Sequence, residues 1–126
     1  MTGVQTCALP IFVADATNLL RNLFLASQLA ELERPAVLVL NQADVAREQG
    51  LRIDTALLSA RLGGIPVVLA SAWQGEGVAE IRRALARAAE ERRLLPKVAW
   101  PAPVATALAE LARKVAADTE IGRAHV

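Results

Sequence analysis

A chain of 126 residues with 14 basic and 13 acidic side chains is the size of one ordinary domain and is close to neutral, which gives it no electrostatic pull toward nucleic acid or an anionic membrane. Its 54% hydrophobic content is carried by Ala, Leu and Val, with 3% aromatic residues, and no apolar run approaches the roughly 20 residues of a membrane-crossing helix. The only cysteine, histidine and methionine are Cys7, His125 and Met1, so the interior offers no thiol nucleophile, histidine base, disulfide or Cys/His metal site.

The segment 2–11 and the tail 120–126 stand apart from the rest. Back-translated, the end of the first is the reverse complement of the second in another frame, and both resemble translated short-read sequencing adapter. Residues 1–11 and 120–126 are therefore expected to be non-native, with a natural segment over 12–119 that belongs to a longer protein.

Phe12-Val13-Ala14 reads as the end of a strand, closed by Asp15. Asn18 is expected to cap a helix over 19–33, with Leu20, Leu23, Phe24 and Leu32 inward. Residues 36–40 form an unbroken apolar run, as in a strand covered on both faces. A polar segment then runs to Gly50, and Asp54 is expected to cap a short helix over 55–62 that Gly63 stops. A third strand is expected over 67–70, ended by Ser71, and a loop over 73–77 leads into a helix over 78–93. Val78, Ile81, Leu85 and Ala88 make that helix's inward face; Arg82, Arg83, Arg87 and Glu91 make the wet one. Arg92 and Arg93 extend the same solvated charge run. Trp100-Pro101-Ala102-Pro103 marks a boundary, after which Pro103 opens a helix carrying Val104, Leu108, Leu111 and Val115. The alternation of strand and helix predicts an α/β fold with a parallel sheet flanked by helices.

Right-handed crossovers put the ends of the second and third strands on one edge, where ligands of open α/β sheets bind. Asn41-Gln42-Ala43-Asp44 and Ser71-Ala72 therefore face one crevice. The residue types suit guanine. An aspartate carboxylate at 44 offers two acceptors to the ring N–H and exocyclic amine, and the Asn41 amide can donate to the base and tie loops together. A backbone N–H near Ala72 can donate to the exocyclic oxygen, where adenine carries an amine. Discrimination then rests on the buried groups that the wrong base leaves unpaired.

N-x-x-D after one strand and S-A after the next resemble the fourth and fifth motifs of P-loop GTPases. The runs 13–25, 40–44, 51–54, 62–68 and 75–77 resemble the G domain of the FeoB-type ferrous iron transporter. That resemblance implies the C-terminal half of a Ras-like P-loop GTPase domain over 12–95, then a linker and the first helix of a small helical domain over 96–119. It implies GTP or GDP as ligand, held at the base by Asn41, Gln42, Asp44, Ser71, Ala72 and Trp73. It further implies Mg²⁺ in the complete parent, a membrane domain of the same polypeptide as partner, and a place at the cytoplasmic face of the cell membrane. No nucleic-acid partner and no membrane insertion by this segment are expected.

Several positions depart from the common pattern. Gln42 stands where most GTPases carry a lysine, and Trp73 is large for its place; packing on the last helix is the first reading for Trp73, stacking on the base the second. Asp15, Asn18 and Arg21 read as capping residues, with a switch-region contact as the second reading. No G-x-x-x-x-G-K-[ST] and no D-x-x-G occurs, so nothing here cradles phosphates or holds Mg²⁺, and this segment alone is expected to be catalytically inactive. Two other readings fit the same residues: a soluble GTPase of ribosome assembly or tRNA modification, and a non-catalytic α/β interaction module in which Asn41 to Asp44 merely cap a helix.

Overall fold

The computed structural model describes residues 9–117, so most of the expected non-native ends lies outside the described residues. Three strands, β1 (Ile11–Asp15), β2 (Val37–Asn41) and β3 (Val67–Leu69), pair in parallel in the order β1-β2-β3. Ile11 pairs with Val37 and Asp15 with Asn41, while Leu38 pairs with Val67 and Leu40 with Leu69. The carboxyl ends of all three strands therefore share one edge, as the alternation of elements requires.

β2 is central, and its four apolar residues are buried on both sides. Leu38 and Leu40 point into a cluster with Phe12, Ala14, Ala26, Ala30, Ile65 and Leu95. Val37 and Val39 point the other way, against Val68, Ala70, Ala84 and Ala88. A strand with both faces covered loses its polar alternation, which is why 36–40 reads as one apolar run. Fully burying a leucine such as Leu38 is worth about 1.5–3 kcal/mol.

The helices are α1 (Leu19–Leu29), α2 (Ala43–Glu48), α3 (Thr55–Arg61), α4 (Val78–Glu91) and α5 (Ala102–Ala117). α1 departs from expectation in three ways. A 3-10 turn, Ala16–Asn18, precedes it, and Asp15 caps that turn by accepting from the Thr17 N–H at 2.8 Å. Asn18 gives α1 no side-chain cap; its carbonyl instead accepts from Asn22 Nδ2. The capping residue thus sits three places earlier than expected, because the turn starts at the strand end.

The second departure is rotational. Leu20, Phe24 and Leu32 are 88%, 68% and 57% exposed, while Ala26 and Ala30 are buried and Leu19, Leu23 and Leu29 pack beside them. Of the four residues expected inward, Leu23 alone is. The third is the end: α1 stops at Leu29, a 3-10 turn covers Ala30–Leu32, and Glu33 takes a left-handed conformation.

Asp54 caps α3 as expected, accepting from the Leu57 N–H at 2.9 Å. α4 buries Ala84 and Ala88 and packs Ile81 and Leu85 on the sheet, but Val78, expected inward, is exposed. Arg92 turns left-handed and ends α4 before Arg93. The following residues return to the core: Leu94 bridges to Pro35, and Leu95 is buried. α5 starts at Ala102, one residue before the expected Pro103, and has no buried residue. Among the described residues, no helix is long and apolar enough to cross a membrane.

Candidate functional site

The candidate site residues lie along the shared strand edge. β2 ends at Asn41, and the chain turns at once into α2, a helix where a purely polar connection was expected. Gln42 makes that turn with φ 62°, a left-handed conformation that costs a non-glycine residue about 1–2 kcal/mol. Two bonds hold it there: the Ala46 N–H donates to the Gln42 carbonyl and the Ala43 N–H to the Ala70 carbonyl, both at 3.0 Å. The second bond fastens the start of α2 to the end of β3. Strain kept at such a junction is characteristic of a functional site.

The other half is the loop after β3. The Ala70 N–H donates to the Leu40 carbonyl at 2.8 Å, so the two strand ends stay level. Ser71 and Glu76 then bridge in antiparallel fashion, each N–H donating to the other's carbonyl, and close a tight loop over 72–75. Asn41 Oδ1 accepts from the Ala72 N–H at 2.9 Å, across 31 positions of sequence. The two motifs are thus joined directly. Asn41 Nδ2 donates to nothing among the described residues, and the half-buried Asp44 carboxylate accepts nothing among them.

This bond refines the expectation for the loop's backbone. The Ala72 N–H is taken by Asn41, which leaves the neighbouring Trp73 N–H as the amide with no acceptor among the described residues. The Trp73 ring is 94% exposed, so the expectation that it packs on the last helix is wrong. It stands on the four-residue loop, 72–75, that the Ser71–Glu76 bridge closes. Gln42 is likewise exposed and caps nothing with its side chain.

Ser71 is 1% exposed, and its Oγ has no hydrogen-bond partner among the described residues. A buried hydroxyl left unpaired costs about 1–3 kcal/mol. Ser71→Ala is therefore expected to leave the stability of the unliganded chain unchanged or raise it by about 1 kcal/mol, as read by urea unfolding. A loss of more than about 1 kcal/mol would show that the hydroxyl is satisfied after all.

A second link was not foreseen from sequence. The Arg47 guanidinium, on α2 one turn past Asp44, donates two parallel bonds to the Glu76 carboxylate, at 2.8 and 2.7 Å. Those bonds, with the Arg47 charge, hold the Glu76 carboxyl below the usual carboxylate range. They also raise Arg47, with a smaller contribution from Asp44. The residues 29 positions apart carry no local signal that would pair them.

Other ion pairs lie away from this edge, among them Lys97 with Glu33, where the contact lowers the Glu33 carboxyl and raises the Lys97 amine. Arg83 pairs with Glu80 and Arg87 with Glu91 on the wet face of α4, and Arg93 approaches Glu91 at 3.9 Å. Asp15 is engaged in capping, while Arg21 is exposed on α1. Among the described residues, no group of three or more His, Cys, Asp or Glu side chains is placed to hold a metal ion.

Comparison with known proteins gives a consistent picture. The sequence model of the family described as Ferrous iron transport protein B matches residues 4–85, starting ahead of Phe12. The Fe(2+) transporter FeoB of Escherichia coli K12 is 44% identical over 77 residues, 61% of this chain and 10% of that protein. The solved cytosolic domain of L. pneumophila FeoB superposes with a TM-score of 0.74 at 30% identity, covering 87% of this chain and 46% of that one. A mutant of S. thermophilus NFeoB bound to GMPPNP gives a TM-score of 0.64 at 35% identity, covering 76% of this chain and 37% of that one. The chain spans about a tenth of the length of the curated relatives it matches and less than half of these two solved chains.

Proposed function

This chain belongs to the FeoB family of ferrous iron transport proteins, and from that premise we propose that it carries the guanine-reading half of a cytosolic G domain. In this reading residues 12–95 are the C-terminal half of that domain, and 96–119 open a helical domain leading to the membrane part of the same polypeptide. The parent sits at the cytoplasmic face of the cell membrane and links its nucleotide state to Fe²⁺ uptake. The first eleven and last seven residues are read as adapter translation rather than native protein.

One observation carries the reading: the Asn41 Oδ1 bond to the Ala72 N–H fixes two loops side by side while the Asp44 carboxylate stays unpaired between them. A carboxylate, a carboxamide donor and a free backbone N–H at Trp73 together match the hydrogen-bonding edge of guanine. The exposed Trp73 ring supplies a surface on which the base can stack. Solved relatives bound to GMPPNP, or crystallised in a GDP form, support a guanine nucleotide as the ligand. The sequence carries no G-x-x-x-x-G-K-[ST] run, so in this reading cradling the phosphates and holding Mg²⁺ fall to the part of the parent that precedes this segment.

The test is a titration of GDP and ADP against the parent protein and its Asp44→Ala variant. GDP is expected to bind at least about a hundredfold more tightly than ADP, with the preference lost in the variant. Equal affinity for the two nucleotides, or a preference that survives Asp44→Ala, would leave an interaction module as the better description.

A further inference from the structure

The base site has two walls on separate elements. One is α2 with Asp44; the other is the loop over 72–75 with Ala72 and Trp73. Asn41 joins them at the sheet edge. One turn further out, Arg47 and Glu76 join them again, with each terminal guanidinium nitrogen donating to one carboxylate oxygen. Glu76 is also the residue whose backbone closes the loop against Ser71. Moving the loop away from α2 must therefore break this fork, whatever happens at Asn41.

We propose that the Arg47–Glu76 pair is a clamp that holds the base loop against the Asp44 helix and sets how fast nucleotide leaves. The proposal rests on the guanine reading above and adds a pair of positioning residues to it. Neither side chain needs to touch the nucleotide. Side-chain exposure of 56% and 39% makes this a surface pair, a class that often contributes little. The two-point fork is the geometry in which such pairs do count. Asp44 lies one turn before Arg47 on α2, and its charge acts on both Arg47 and Glu76. Removing Arg47 therefore leaves Asp44 and Glu76 to repel one another, whereas removing the charge of Glu76 does not. The two losses should be unequal, with the larger at Arg47.

The experiment measures release of a fluorescent GDP analogue from the full-length parent in detergent, with Arg47→Gln, Glu76→Gln and the double variant. Glu76→Gln leaves the Ser71 backbone bonds intact, so loop closure itself is preserved. Release is expected to quicken about fivefold in Glu76→Gln and more in Arg47→Gln. The association rate should stay within about twofold, and in the Arg47→Gln background Glu76→Gln should slow release back toward the Glu76→Gln rate, because it removes the repulsion from Asp44. Raising the salt should quicken release in the unaltered protein and much less in Glu76→Gln. Arg83→Gln, which breaks a comparable surface pair on α4, should change nothing. Release rates unmoved by either single variant, or effects that multiply in the double variant, overturn the clamp while leaving the guanine reading standing. A parent that binds ADP as well as GDP overturns both.

Discussion

Replacing Gly77 with alanine is expected to lower folding stability by about 2–5 kcal/mol, the sum of a backbone and a packing cost. Gly77 starts α4 with φ 87°, where a β-carbon is strained in any surroundings. The surroundings make it worse. A β-carbon there would lie 2.5 Å from the Leu69 carbonyl oxygen and 3.0 Å from both Cα and Cβ of Ala70. Ala70 cannot retreat, because its N–H is held by Leu40 and its carbonyl by Ala43. The loop would have to lift instead, taking Glu76 and the Ser71 bridge with it. Gly75 provides the control: its φ is 71°, yet a β-carbon added there would meet nothing within 4 Å. Gly75→Ala should cost about 1 kcal/mol, the conformational part alone. Urea unfolding of the two variants separates the contributions, and a Gly77→Ala loss no larger than that of Gly75→Ala would remove the close approach from the account.

The parts of the fold that sequence discloses are those where burial is two-sided. β2 and β3 stand out because no polar residue interrupts them, and a parallel sheet then fixes that Asn41 and Ser71 share an edge. The phase of α1 is harder to read, because its inward face is set largely by alanines. Ala26 and Ala30 let the helix lie close to the sheet, and the bulkier Leu20 and Phe24 are turned out. Size is a poor guide to facing when close approach decides it. α2 gives a similarly faint signal: it has six residues, and its buried members are Ala43 and Ala46.

The remaining misses are long-range. Nothing local marks Leu95 as a core residue; it is buried because the chain after α4 returns beside Pro35 and over Gly63. Nothing local pairs Arg47 with Glu76. Trp73 runs against the usual tendency of tryptophan to bury most of its surface; it stands on the loop that the Ser71–Glu76 bridge closes. At the candidate site, the residue types were legible and their partners were not. The Asn41 bond to Ala72 is a case in point: the pairing of the motifs follows from topology, while the choice of which amide Asn41 uses does not.

The other large effect concerns base choice. An aspartate carboxylate offers acceptors only, whereas asparagine offers one acceptor and one donor. In the proposed contact guanine presents two donors to position 44; xanthine carries an oxygen in place of the exocyclic amine. In Asp44→Asn the amide N–H₂ would meet that amine donor to donor, so one charge-assisted bond is lost and nothing replaces it. The loss is about 3 kcal/mol, or about a hundredfold in affinity. Xanthine, by contrast, gains a partner. Competition between GDP and xanthosine diphosphate for the parent protein and its Asp44→Asn variant therefore puts the proposed contact to the most direct trial. A preference for GDP in the unaltered protein that reverses in the variant is the outcome required by a base seated against Asp44. The same preference in both proteins would mean that the base is read somewhere else.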